Sequence, residues 1–158
     1  MIKLETHGLH GAVHKTADIN SNDKEHPQVR LDVKAIVHVP ITVEPVGVML
    51  GGAVGEDIRQ TVTIKGNEGK PLELEPVMNT LPEKIAYDVK RTDDNKGYQV
   101  VFRNLSTIED DKYNGFVTFK TNYPEQPGIT IQCLGYVWKK GTVVPSIEEI
   151  MPGAGKGR

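Results

Sequence analysis

Val29-Arg30-Leu31-Asp32-Val33-Lys34-Ala35-Ile36-Val37 decides the fold class. Val29, Leu31, Val33, Ala35 and Val37 fall on one side of an extended chain. Arg30, Asp32 and Lys34 fall on the other, because successive side chains of a strand point to opposite faces. This is a strand with one face buried. The same period of two recurs in Ile129, Ile131, Cys133, Gly135 and Val137, in Val117 and Phe119, in Tyr98, Val100 and Phe102, and in Ile85, Tyr87 and Val89. Shorter versions are Val62 with Ile64, Leu72 with Leu74, and Ile41 with Val43. Turn-forming residues separate these runs: Gly51-Gly52, Gly66-Asn67-Glu68-Gly69, Asp93-Asp94-Asn95-Lys96-Gly97 and Asn122-Tyr123-Pro124. No segment of helical length carries a 3.6-residue apolar period, and 10 prolines and 16 glycines are scattered at helix-breaking intervals. An all-β chain with very little helix is expected, in the form of an immunoglobulin-like β-sandwich of about seven to eight antiparallel strands.

The chain also repeats itself. Ser21-Asn22-Asp23-Lys24-Glu25-His26-Pro27 precedes Thr121-Asn122-Tyr123-Pro124-Glu125-Gln126-Pro127 by 100 positions. The offset then holds without a gap: Val29, Leu31, Val33 and Val37 stand opposite Ile129, Ile131, Cys133 and Val137, and Thr42, Val43 and Pro45 stand opposite Thr142, Val143 and Pro145. Self-similarity at a fixed period is the mark of a repeat architecture, here of immunoglobulin-domain length. The expected organisation follows: residues 1–38 supply the last two strands of one repeat as a two-stranded hairpin, 39–138 make a complete repeat, and 139–158 begin a further strand before a Gly-rich tail.

These residues bring a family into view. The complete repeat resembles a bacterial domain-of-unknown-function repeat family with an ASPM/Hydin-like, PapD-like immunoglobulin fold. The resemblance rests on Ile41-Thr42-Val43-Glu44-Pro45, Gln60-Thr61-Val62-Thr63-Ile64 and Gly69-Lys70-Pro71-Leu72-Glu73-Leu74. It continues through Gly115-Phe116-Val117-Thr118-Phe119 and Thr121-Asn122-Tyr123-Pro124-Glu125-Gln126-Pro127, and ends with the strand from Ile129 to Val137. It implies strings of such domains in an exported, periplasmic, cell-surface or extracellular protein, with no cofactor and no known chemistry. The sequence departs from the family at Gly51-Gly52, where the family's first strand runs on with an aromatic residue.

Composition narrows the function classes. The 19 basic and 21 acidic residues give a net charge of −2 with neither sign in blocks, which argues against a nucleic-acid partner. No apolar run approaches the roughly 20 residues of a membrane-spanning helix. The single cysteine, Cys133, excludes an intrachain disulfide, and its apolar parity favours a buried structural thiol over a nucleophile. His7, His10 and His14 have spacings that would line one face of a helix and bind a metal. In an extended segment His10 and His14 share a face and His7 takes the other, so surface histidines and a loop-gathered metal site are the two readings. Asp93-Asp94 and Asp110-Asp111 are expected in turns, without the alternate ligand spacing of a calcium loop. Gly153-Ala154-Gly155-Lys156-Gly157-Arg158 reads as a tail, since the chain ends where a phosphate-cradling helix would begin. Tyr136 and Trp138 suit either a domain junction or the edge of the core. Two functions are expected of such a chain: a non-enzymatic scaffold or spacer with protein partners, or a subunit that self-associates when residues 1–38 add strands to another chain. Metal binding by the N-terminal histidines is a third.

Overall fold

The computed structural model describes residues 3–6, 9 and 11–142. The chain divides into two compact units, Met1–Val39 and Pro40–Arg158. Every regular element among the described residues is a strand.

The first unit is a hairpin of β1 (Gly11–Asn20) and β2 (Gln28–Val37). They pair antiparallel over ten rungs, from Gly11 opposite Val37 to Asn20 opposite Gln28. The turn between them is tied by the Ser21 amide donating to the Pro27 carbonyl at 2.9 Å. Asp23 Oδ1 accepts from the Glu25 and His26 amides at 2.8 and 3.1 Å, the side-chain-to-backbone bonding that makes Asp a turn former.

The second unit holds β3 (Ile41–Glu44), β4 (Gly47–Ala53), β5 (Arg59–Gly66), β6 (Leu74–Asn79), β7 (Ile85–Arg91), β8 (Gly97–Asn104), β9 (Asp111–Thr121) and β10 (Gly128–Trp138). They form two four-stranded sheets, ordered β3-β5-β8-β7 and β4-β10-β9-β6. In immunoglobulin terms β3, β5, β8 and β7 are strands A, B, E and D, and β6, β9 and β10 are C, F and G. The fold is an immunoglobulin-like β-sandwich. One pairing departs from the all-antiparallel expectation: β4 runs parallel to β10, from Gly47 opposite Gln132 to Ala53 opposite Trp138. The chain crosses to the second sheet after Glu44-Pro45, whose peptide bond is cis.

The alternation sorts side chains as the sequence implies. Val62 and Ile64 of β5, Val100 and Phe102 of β8, and Ile41 and Ile85 face Val117, Phe119, Ile131 and Cys133 across the sandwich, all buried. Tyr87 packs against Phe102 and, edge to face, against Phe119, with ring centroids 5.9 and 5.6 Å apart. Tyr123, in the turn between β9 and β10, is fully buried and donates its hydroxyl proton to the Lys70 carbonyl at 2.9 Å.

Gly51-Gly52 is not the turn that its composition suggested. Both residues lie inside β4, opposite Tyr136 and Val137. The glycines are there for room: a Cβ on Gly52 would run into the Ile58 side chain, and one on Gly51 would press on the Trp138 ring at 3.3 Å. Leu72 lies outside the strand expected to contain it, yet is fully buried. Asp111 is not a turn residue either; it opens β9 and is partly buried.

Candidate functional site

The two hairpins of the chain can be compared rung by rung. Adding 100 to every residue of the β1–β2 register reproduces that of β9–β10: Gly11 opposite Val37 becomes Asp111 opposite Val137, and Asn20 opposite Gln28 becomes Lys120 opposite Gly128. The turns match as well. The Ser21 amide bonds the Pro27 carbonyl at 2.9 Å, and that of Thr121 the Pro127 carbonyl at 3.0 Å. Ser21 and Thr121 donate their hydroxyl protons to the carbonyls of His26 and Gln126, and accept from the amides of Asp23 and Tyr123 at 3.2 Å. Even a diagonal cross-strand pair recurs: Asn114 and Gln132 bond on the outer face, and His14 and Asp32 do so at the matching positions, 2.9 Å apart.

What differs is the cover. The inward residues of β10 are buried: Ile129, Ile131, Cys133, Gly135 and Val137. Their counterparts Val29, Leu31, Val33, Ala35 and Val37 share a face with Val13, Ala17 and Ile19, and none of residues 11–37 is buried. Ile19 is 43% exposed where Phe119 is fully buried, and Val29 is 48% exposed where Ile129 is 4% exposed. This core-type apolar face on an exposed hairpin is the candidate site of the chain.

That face is patterned as a core and not as a random apolar patch. In β9–β10 Gly135 lies opposite Tyr113, and a Cβ there would run into the Tyr113 ring. At the matching rung Ala35 lies opposite Val13. The larger residue at 35 meets the smaller one at 13, as close packing demands.

The residues singled out by the sequence fall elsewhere. His14 is on the outer face of the hairpin, held by Asp32, and His7 and His10 lie outside the described residues. Among the described residues no three His, Cys, Asp or Glu side chains are grouped to hold a metal ion. Cys133 is buried in the sandwich, where burial pushes its thiol up to about 11 and keeps it protonated at neutral pH. Asp94 closes its turn by accepting from the Thr92 hydroxyl at 2.6 Å and the Lys96 amide at 3.0 Å. Tyr136 and Trp138 pack on each other with ring centroids 5.8 Å apart, and the Lys112 ammonium sits 4.8 Å from the Tyr136 ring. They thus lie on the outside of their own sheet. The Gly-rich tail is outside the described residues.

One polar cluster had no signal in the sequence. Lys84, the last residue of the turn before β7, places Nζ 2.6 Å from Asp111 Oδ2, and the Ser106 hydroxyl donates to the same oxygen. Tyr113 donates to Asn104 Oδ1 at 2.8 Å, and Asn104 brackets Ser106 through its backbone. Burial raises the Asp111 pKa, but the hydrogen bonds from Lys84 and Ser106 and the Lys84 charge outweigh it and hold the carboxyl below its ordinary value. Burial, followed by the Asp111 charge, pushes the Tyr113 phenol up. The pairs come from positions 27 residues apart or on either side of a loop, a spacing no local motif reveals. Chemically the cluster is a closed brace: it ties the 105–110 loop to β7 and β9.

The fold and this face define the class, an immunoglobulin-like sandwich preceded by a matching hairpin. No family model matches the chain, and no curated protein matches it. No helix among the described residues is long and apolar enough to cross a membrane.

Proposed function

We propose that the chain is a non-enzymatic structural and interaction module of an exported bacterial protein, a scaffold or spacer built from tandem immunoglobulin-like repeats. The observation that carries this reading is the identity of register and turn bonding between β1–β2 and β9–β10 at an offset of 100 residues. A chain that uses the same hairpin twice is assembled from a repeating unit, and such units stack into extended supports. The bacterial and exported setting rests on the family resemblance of the strands from Ile41 to Val137.

The test is solution mass by light scattering over a concentration series, for the full chain and for one lacking residues 1–38, whose sandwich keeps its own core. A spacer stays monomeric in both forms. A mass that rises with concentration and falls back on deletion supports the second reading, self-assembly by strand addition. That reading is favoured by the hairpin face and by β7, a seven-residue edge strand that pairs with β8 alone among the described residues.

A further inference from the structure

We infer that the apolar face of β1–β2 is a docking surface for a six-strand immunoglobulin half patterned like β3–β8, a partner that lacks its own last two strands. The inference rests on the repeat reading above and adds what the hairpin binds and how it is recognised.

The sandwich itself displays the occupant. β9–β10 is flanked by β6 on one edge and β4 on the other, and its inner face is covered by the β3-β5-β8-β7 sheet. A hairpin of the same register and turn, with the same inward parity, fits a cover of the same design. The chain's own β3–β8 set is already engaged with β9–β10, so a second copy offers no spare complement among its described residues.

Two positions specify how this cover differs from β3–β8. Gly115 lies under Thr80 and Leu81, where a Cβ would come within 2.6 Å of Leu81 Cγ, and its counterpart is Lys15. The cover for β1–β2 therefore has a small or acidic residue in the place of Leu81, leaving room for the lysine stem and meeting its ammonium. Tyr123 plugs the end of its sandwich, and a Cβ on Gly66 would run into its hydroxyl. Its counterpart Asp23 is exposed and bonded within its own turn. The cover consequently needs no glycine in the place of Gly66. Of the remaining inward substitutions, Ile19 for Phe119 and Val33 for Cys133 change volume only modestly, while Val13 for Tyr113 is answered in part by Ala35 for Gly135.

Hydrogen exchange of the full chain, read residue by residue, tests this. The amides of β1 and β2 are expected to exchange within about tenfold of free-chain rates, while those of β9 and β10 are protected. Protection of β1 and β2 in the full chain overturns the inference, because something already present then covers the face. A fusion placing residues 39–110 ahead of Gly11, with Lys15→Gly to admit Leu81, supplies the complement. There the β1 and β2 amides should slow by at least about 100-fold and a second cooperative unfolding transition should appear. Exchange in the fusion as fast as in the parent also overturns it. Hairpin protection in a monomer sinks this inference and leaves the spacer reading standing, whereas concentration-dependent association with an unprotected hairpin sinks the spacer reading alone.

Discussion

At the level of single residues the sandwich is governed by fits that one atom can break. Gly135 is the sharpest case, since a methyl group there would enter the Tyr113 ring from the opposite rung. Gly135→Ala should destabilise the sandwich by about 1–3 kcal/mol, the usual cost of overpacking. Introduced into a Tyr113→Val background, which copies the Val13 and Ala35 pairing, the same change should cost markedly less. A double-mutant cycle by urea denaturation reads this, and additive costs would show that the ring is not the obstacle. Asp111 supplies a second prediction. Lys84 and Ser106 keep its carboxyl ionised to lower pH in the fold than in the unfolded chain. Its contribution is therefore complete above the unfolded value, near pH 4, and is lost as pH falls through the lower folded value. Asp111→Asn should be less stable at neutral pH and lose less on acidification below about pH 4. Urea midpoints from pH 2 to pH 6 check this, and parallel curves for the two proteins would remove Asp111 from the acid response.

The two hairpins are the natural experiment at the level of elements. Ile131 and Leu31 occupy the same rung of the same register, one fully buried and the other only half-buried. Ile131→Ala should cost the sandwich about 2–5 kcal/mol, as cavities in packed cores do. Leu31→Ala should leave the sandwich's unfolding free energy in urea within about 0.5 kcal/mol, the range of surface changes; equal losses would mean the hairpin and the sandwich unfold as one. The same comparison explains what was legible in the sequence. β5, β8 and β10 were readable because each buries one face, so their apolar residues alternate, and β2 carries the same alternation on a face that is left uncovered. β4 was not readable: Gly51 and Gly52 sit there to make room for Trp138 and Ile58, which mimics turn chemistry. β1 was also faint, because Lys15 interrupts the apolar parity of Val13, Ala17 and Ile19. The hairpin face could be read as a strand pattern, but its exposure and its match to β9–β10 in turn bonding needed coordinates. The Lys84, Ser106 and Asp111 brace is made by tertiary approach and has no spacing to find.

For the sandwich as a whole, the decisive feature for a spacer is how its end strands meet. β4 lies near the start of the unit and β10 is its last described strand, and the two are parallel over seven rungs. Pulling the unit by residues 40 and 139 draws β4 toward its beginning and β10 toward its end. The two strands then slide past each other, and the ladder between them is loaded all at once. β9 and β10 are antiparallel, with Asp111 and Trp138 at the same end of the hairpin. Handles at 110 and 139 therefore open that ladder one rung at a time. The force needed to unfold the unit should be higher with handles at 40 and 139 than with handles at 110 and 139, a comparison that keeps β10 and the protein constant. Single-molecule pulling at one loading rate measures it, and forced unfolding reports the unfolding barrier, not the equilibrium stability. Equal forces, or a weaker response through the end handles, would show that the β4–β10 pairing does not brace the unit along the chain. A spacer in a tandem array receives its load through the two chain ends, so this geometry is where the fold meets the proposed role.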